Sequence, residues 1–184
     1  MKKTAIFASG NGSNFEALVE AFRSGRLKWE PAVCICDKPG AGVIERAARL
    51  KIDCIVVNPK DYADKATYEA AIVRKLEGYD VELICLAGYM RIIGETLLKA
   101  YPRKIINIHP SLLPAFKGAH AIRDAFDYGV KVYGVTIHYV DETLDGGEII
   151  AQAAVPYEGN DFEELENEIH KTEHWLYADT LNKL

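Results

Sequence analysis

Sulfur is scarce in this chain: four cysteines and two methionines in 184 residues. Cys34, Cys36, Cys54 and Cys85 lie within or beside apolar, strand-like runs, where a free thiol acts as a small hydrophobe. Cys34 and Cys36 fall on one face of a strand, but no second Cys or His pair follows at zinc-ligand spacing, so no metal site is expected. A reduced, cytoplasmic, metal-free protein follows as the expectation. Long apolar runs are missing too. The run after Lys2 and Lys3 stops at Ser9 after about five residues, short of the roughly 7–15 of a signal-peptide core. Nothing approaches the ~18 apolar residues of a membrane span. Clustered basic residues are also lacking: 22 Lys and Arg against 27 Asp and Glu leave a net charge of -5, which argues against a nucleic-acid surface.

Apolar content of 49% and charged content of 27% are ordinary for a globular chain, so neither disorder nor a fibrous architecture is suggested. No linker, repeat or low-complexity segment divides the chain, and its length fits one domain, 1–184, with a full core. Apolar runs at 4–9, 32–36, 54–58, 83–87 and 104–108 read as buried strands. Helical patterns fall between them, over about 15–22, 43–50, 65–76 and 96–100. Strands alternating with helices at this spacing specify an α/β fold with a doubly wound, mostly parallel sheet. After a helix near 122–128 the pattern changes. Strands at 133–140 and 148–155, joined by a loop, predict antiparallel C-terminal strands. A C-terminal helix follows over 161–184, with Leu165, Ile169, Trp175, Leu176 and Leu181 on its apolar side.

The fifth strand carries an anomaly. In Ile105-Ile106-Asn107-Ile108-His109 two polar residues interrupt an apolar run at alternate positions, so both side chains point the same way. Pro110 and Pro114 then stiffen the chain beyond them. Earlier, Ser9-Gly10-Asn11-Gly12-Ser13-Asn14 joins the first strand to a helix start, the arrangement that aims free backbone N–H groups at an anion. It has no lysine after the second glycine and no glycine at Phe15, so neither a nucleoside triphosphate nor NAD fits, and a phosphate monoester does. Met90-Arg91-Ile92-Ile93 follows the fourth strand with apolar surface beside a cation, suited to a flat aromatic ligand with acidic groups. All three segments leave the carboxyl ends of parallel strands, where ligands bind in such sheets.

An Asn donor beside an imidazolium, with a carboxylate behind it, is equipped to stabilise an oxyanion and hand on a proton. Asp141, Glu142 and Asp145 compete for the carboxylate's place. Asp145 is favoured, because Gly146-Gly147 after it permit a close backbone approach or a turn with positive φ. Ser111 has no second base to address it, so direct attack by a substrate amine is expected rather than a covalent serine intermediate.

Ser9-Gly10-Asn11-Gly12-Ser13-Asn14, Ala87-Gly88-Tyr89-Met90-Arg91, Asn107-Ile108-His109-Pro110-Ser111-Leu112-Leu113-Pro114 and Asp145-Gly146-Gly147 together resemble the phosphoribosylglycinamide formyltransferase family, folate-dependent enzymes of purine biosynthesis. The match runs in order through essentially the whole chain. The resemblance implies the Rossmann-like formyltransferase fold and transfer of a formyl group from 10-formyltetrahydrofolate, as co-substrate, to the amine of glycinamide ribonucleotide. It implies Asn107, His109 and Asp145 as catalytic residues and Gly12, Ser13, Asn14, His170 and Glu173 against the phosphate and ribonucleotide. Lys65, Met90, Arg91, Ile92, Ile93, Asn107, Val140, Asp141 and Asp145 are implied on the folate. Residues 1–100 would then be mainly the ribonucleotide half and 101–184 mainly the catalytic and folate half. Partners would be small molecules, with no nucleic acid and no membrane, in a monomer or homodimer.

The chain departs from the family pattern at Thr136, where a serine is common, at His170, where a glutamine is common, and over Asp37-Lys38-Pro39-Gly40, where Asn-Lys is usual. Two related activities compete. A methionyl-tRNA formyltransferase also carries a Pro-Ser-Leu-Leu-Pro loop but would need an RNA-binding domain and basic surface. A formyltetrahydrofolate deformylase would need an N-terminal regulatory domain, whereas the first strand starts at residue 4. The reading from outside this chemistry is an inert binder of a phosphorylated metabolite, against which Asn107, His109 and Asp145 together speak.

Overall fold

The computed structural model describes all 184 residues. Seven strands form one sheet: β1 (Lys3–Ala8), β2 (Glu30–Cys36), β3 (Asp53–Val56), β4 (Leu83–Leu86), β5 (Ile105–His109), β6 (Val132–Tyr139) and β7 (Ile149–Pro156). Their spatial order is β3-β2-β1-β4-β5-β6-β7. β1 to β5 run parallel, and β6 and β7 add antiparallel on the β5 side. The chain reverses its direction of travel across the sheet between β1 and β4, which opens a crevice at their carboxyl ends. This is the doubly wound sheet with antiparallel C-terminal strands expected above.

Helices α1 (Ser13–Arg23), α2 (Gly42–Arg49), α3 (Lys65–Leu76), α4 (Glu95–Ala100), α5 (Ala121–Tyr128) and α6 (Phe162–Leu181) cover both faces. The larger core, 31 buried residues, lies under α1, α2, α5 and α6 and includes Cys34, Cys36 and Cys85. The smaller, 14 residues, lies under α3 and α4. Alternation along each strand feeds the two cores in turn: Ile6 and Ala8 to the first, Ala5 and Phe7 to the second. The Tyr177 hydroxyl on α6 donates to the Leu86 carbonyl (2.9 Å), pinning that helix beneath the sheet centre.

Two local readings change. The third strand ends at Val56, because Pro59 leads a 3-10 turn over Pro59–Asp61 whose start is capped by Asn58 accepting from the Lys60 N–H (3.1 Å). On α6, Leu165, Ile169, Leu176 and Leu181 are buried but Trp175 is half exposed, since it sits two residues, about 200°, round the helix from buried Glu173. No helix is long and apolar enough to cross a membrane.

Candidate active site

Asn107 and His109 stand inside β5, the strand at which the sheet turns from parallel to antiparallel. Their cross-strand partners on β6 are His138 and Thr136. The Asn107 amide donates to His138 Nε2 (3.2 Å), because the Nδ1–H of that ring is already given to the Tyr139 carbonyl (2.9 Å). His138 is 2% exposed, and burial pushes its pKa below the usual histidine value. A neutral imidazole therefore aims the Asn107 amide. Sequence reasoning overlooked His138, although Thr136 and His138 interrupt β6 at alternate positions as Asn107 and His109 interrupt β5.

His109 Nε2 donates to the Phe116 carbonyl (2.8 Å), which leaves its Nδ1 edge 3.7 Å from Asp145 Oδ2. Asp145 Oδ1 lies 3.9 Å from His138 Nε2, and Oδ2 accepts the Gly118 N–H at 2.8 Å. One carboxylate thus faces both imidazoles. Of its two rivals, Asp141 accepts the N–H (2.8 Å) and hydroxyl (2.5 Å) of Thr143 to close its own turn, and Glu142 is exposed and outside the cleft. Positive φ falls on Asp145 itself, at +46°, a conformation that Asp tolerates better than most residues.

Beyond β5 the loop is rigidly held. The Leu113–Pro114 bond is cis. Ser111 Oγ donates to the Ala115 carbonyl (2.6 Å) and is 3% exposed, so it is committed to the loop. Thr136 Oγ1 donates to the Ser111 carbonyl (2.7 Å) and accepts the Leu113 N–H (3.1 Å), with Gln152 donating to the Leu113 carbonyl (3.0 Å). The hydroxyl that a serine would supply at position 136 is therefore present in threonine.

These groups sit midway along a cleft of about 570 Å³, within the usual range for small-molecule sites. One end is the turn after β1. Gly12 there has φ +81°, and a Cβ would meet Val43 on α2 at 2.6 Å, so the backbone comes closer to α2 than a side chain allows. Arg46 on α2 grips Asn11 through its carbonyl (2.8 Å) and side-chain oxygen (2.5 Å). Gly12, Ser13, Asn14, His170 and Glu173 line this end. Asn14 donates to Glu173 Oε2 (3.1 Å), and its own buried Oδ1 has no partner. The other end is lined by Met90, Arg91, Ile92, Ile93, Val140 and Asp141. Met90 and Ile92 are exposed there, Ile93 is packed into the smaller core, and Arg91 Nε donates to Asp37 Oδ2 (2.8 Å). Lys65 does not reach this cleft. It opens α3 and lines a second cavity of about 630 Å³ behind residues 89–93.

Three comparisons bear on this geometry. The family model described as formyl transferase matches residues 2–181. The chain belongs to the formyl transferase family. Among the relatives of this formyl transferase, phosphoribosylglycinamide formyltransferase of Bacillus subtilis (strain 168) is 54% identical across 100% of this chain and 95% of its own. The crystal structure of phosphoribosylglycinamide formyltransferase from Bacillus halodurans superposes with a TM-score of 0.95 at 51% identity, covering 99% of this chain and 94% of that one. The trifunctional purine biosynthetic protein adenosine-3 of Drosophila melanogaster is 40% identical over 100% of this chain, which spans 14% of that protein.

Histidines also set the stability of this formyl transferase against pH. Burial depresses His138 and His174, so the unfolded chain takes up those protons first. Their contribution is present above the ordinary value of 6.5 and is lost as pH falls below it toward the depressed folded values. His170 has the opposite sign: its bond to Glu173 raises its pKa, so its contribution holds below 6.5 and is lost as pH rises through the raised value. The expected result is a urea midpoint that drops between pH 6.5 and 5, with a smaller drop in His138→Gln; an unchanged drop in that variant would remove His138 from the account.

Proposed function

We propose that the cleft transfers the formyl group of 10-formyltetrahydrofolate to the amine of glycinamide ribonucleotide, giving formylglycinamide ribonucleotide and tetrahydrofolate, a step of purine biosynthesis. The observation that carries the reading is the single cleft in which the Asn107–His109–His138–Asp145 group lies between an anion-binding turn and an apolar end with a cation. The 54% identity to the Bacillus subtilis phosphoribosylglycinamide formyltransferase supports the same choice.

In this reading the ribonucleotide phosphate takes the N–H groups of Gly12, Ser13 and Asn14 at the start of α1, with His170 beside it and Glu173 on the ribose. The pterin lies against Met90, Arg91, Ile92, Ile93, Val140 and Asp141, and Lys65 takes the carboxylate-bearing tail from the adjoining cavity. The substrate amine adds to the formyl carbon, forming a C–N bond and placing negative charge on the formyl oxygen. The Asn107 amide donates to that oxyanion, and the positive charge of the protonated His109 ring stabilises it. Asp145 holds the imidazolium and relays the amine's proton to the departing tetrahydrofolate nitrogen as the old C–N bond breaks. The reactants are small molecules of the cytoplasm.

The test follows tetrahydrofolate release spectroscopically, with and without the ribonucleotide. Release that requires the ribonucleotide is expected. Release in its absence would identify a deformylase instead, and no release in either case would leave a binding protein.

A further inference from the structure

Glu173 creates an electrostatic conflict at the turn end of the cleft. It is 4% exposed, and its Oε2 accepts from Asn14 Nδ2 at 3.1 Å, which puts a carboxylate within one side chain of the helix start read above as the phosphate site. A dianion and a carboxylate this close repel, and burial strengthens the repulsion by lowering the local dielectric. One group able to carry a positive charge is bonded to that carboxylate: His170 Nδ1 lies 2.8 Å from Glu173 Oε2, one helical turn away on α6. His170 lines the cleft and is part exposed, and its Nε2 makes no hydrogen bond.

We propose that His170 gates this end of the cleft by its charge: as an imidazolium it neutralises Glu173 and presents a second N–H to the phosphate, and as neutral imidazole it leaves the carboxylate to repel it. The inference rests on the phosphate reading and adds a titratable control to it.

The surroundings assign the control to this residue. The charges acting on His170 are Glu173 and Glu166, both on α6 and both favouring the imidazolium. From α1 the facing group is the uncharged Asn14. Glu20 and Arg46 act instead on His174, whose pKa burial lowers, so it is neutral where His170 titrates. Arg46 is already committed to Asn11 and Glu16. The bond to Glu173 moves the His170 transition above the ordinary histidine value. A glutamine here would donate to the carboxylate without neutralising it at any pH.

Calorimetric titration with ribose 5-phosphate tests this on the intact protein, with no contribution from the reacting amine. The phosphate's second ionisation lies near pH 6, so the ligand is a dianion at both pH 7 and pH 9. Binding by the wild type is expected to weaken about tenfold from pH 7 to pH 9, as for release of one linked proton. By reciprocity the NMR titration midpoint of His170 must rise when the sugar phosphate is bound. His170→Gln should bind with no change in affinity across that range. Glu173→Gln removes the repelling charge, so its affinity should differ less than about threefold between the two pH values. A flat wild-type profile, or a full pH effect surviving in His170→Gln, overturns the gate while leaving the phosphate site standing. No binding at either pH overturns the phosphate reading and the gate with it.

Discussion

His109→Ala is expected to lower kcat by about three orders of magnitude, the combined scale of losing an acid–base group and an oxyanion-stabilising charge. The size of the effect follows from how the ring is held. Its Nε2 is fixed on the Phe116 carbonyl at 2.8 Å, and its Nδ1 edge is the one turned toward Asp145. No other group in the middle of the cleft replaces it. His138 is kept neutral by burial and points its free nitrogen at the Asn107 amide, so it is badly suited to act as the acid. The substitution has a structural cost as well, since it leaves the Phe116 carbonyl unpaired at about 1–3 kcal/mol. A urea midpoint measured beside kcat separates the two effects: a folded variant with less than a tenfold loss of turnover would take His109 out of the chemistry.

Much of this site was legible in the sequence for one reason. A polar residue inside an apolar strand has to be placed somewhere, and strand alternation says where. Asn107 and His109 were visible on that ground. The same argument applied to β6 exposes His138, which alternates there with Thr136. The turn at Gly12 was readable because a glycine between a strand and a helix marks a backbone conformation, and that conformation is found there at φ +81°. Other parts had no local signal. The Phe116 carbonyl and the Gly118 N–H reach His109 and Asp145 across loops whose path depends on the hydrogen bonds from Thr136 and Gln152. Lys65 lines a separate cavity because the packing of α3 against α4 sets its direction, and sequence position says nothing of that. Glu69 belongs in the same class: 2% exposed, it accepts the Gly94 (2.5 Å) and Leu97 (3.2 Å) N–H groups and so caps α4 from another helix.

The glycine pair after Asp145 shows how a correct sequence signal divides on inspection, and it sets the second large effect. Neither glycine has positive φ; the turn's left-handed residue is Asp145. What the pair supplies is close approach, and unequally. A Cβ on Gly146 would meet the Thr143 hydroxyl, an exposed side chain that can turn away at the cost of its bond to Asp141. A Cβ on Gly147 would run into the Tyr139 carbonyl oxygen, with the carbonyl carbon at 2.9 Å, and this is backbone in a sheet strand. That carbonyl is the acceptor that fixes the His138 ring, and the Tyr139 N–H pairs with the Glu148 carbonyl (2.9 Å) one residue past the glycine. Relief of the clash must therefore move the end of β6 away from the loop, shifting His138 and Asp145 together. Gly147→Ala is expected to cost about 3 kcal/mol, the upper end of the usual range for substitutions that overpack a rigid site. Turnover of the fraction that folds should fall by about 10², since a displacement near 1 Å in such groups has that consequence. Gly146→Ala should cost under about 1 kcal/mol. Urea midpoints and kcat for the two variants give the comparison; equal effects would mean that the 141–147 loop yields freely and that the Tyr139 contact does not hold the carboxylate in place.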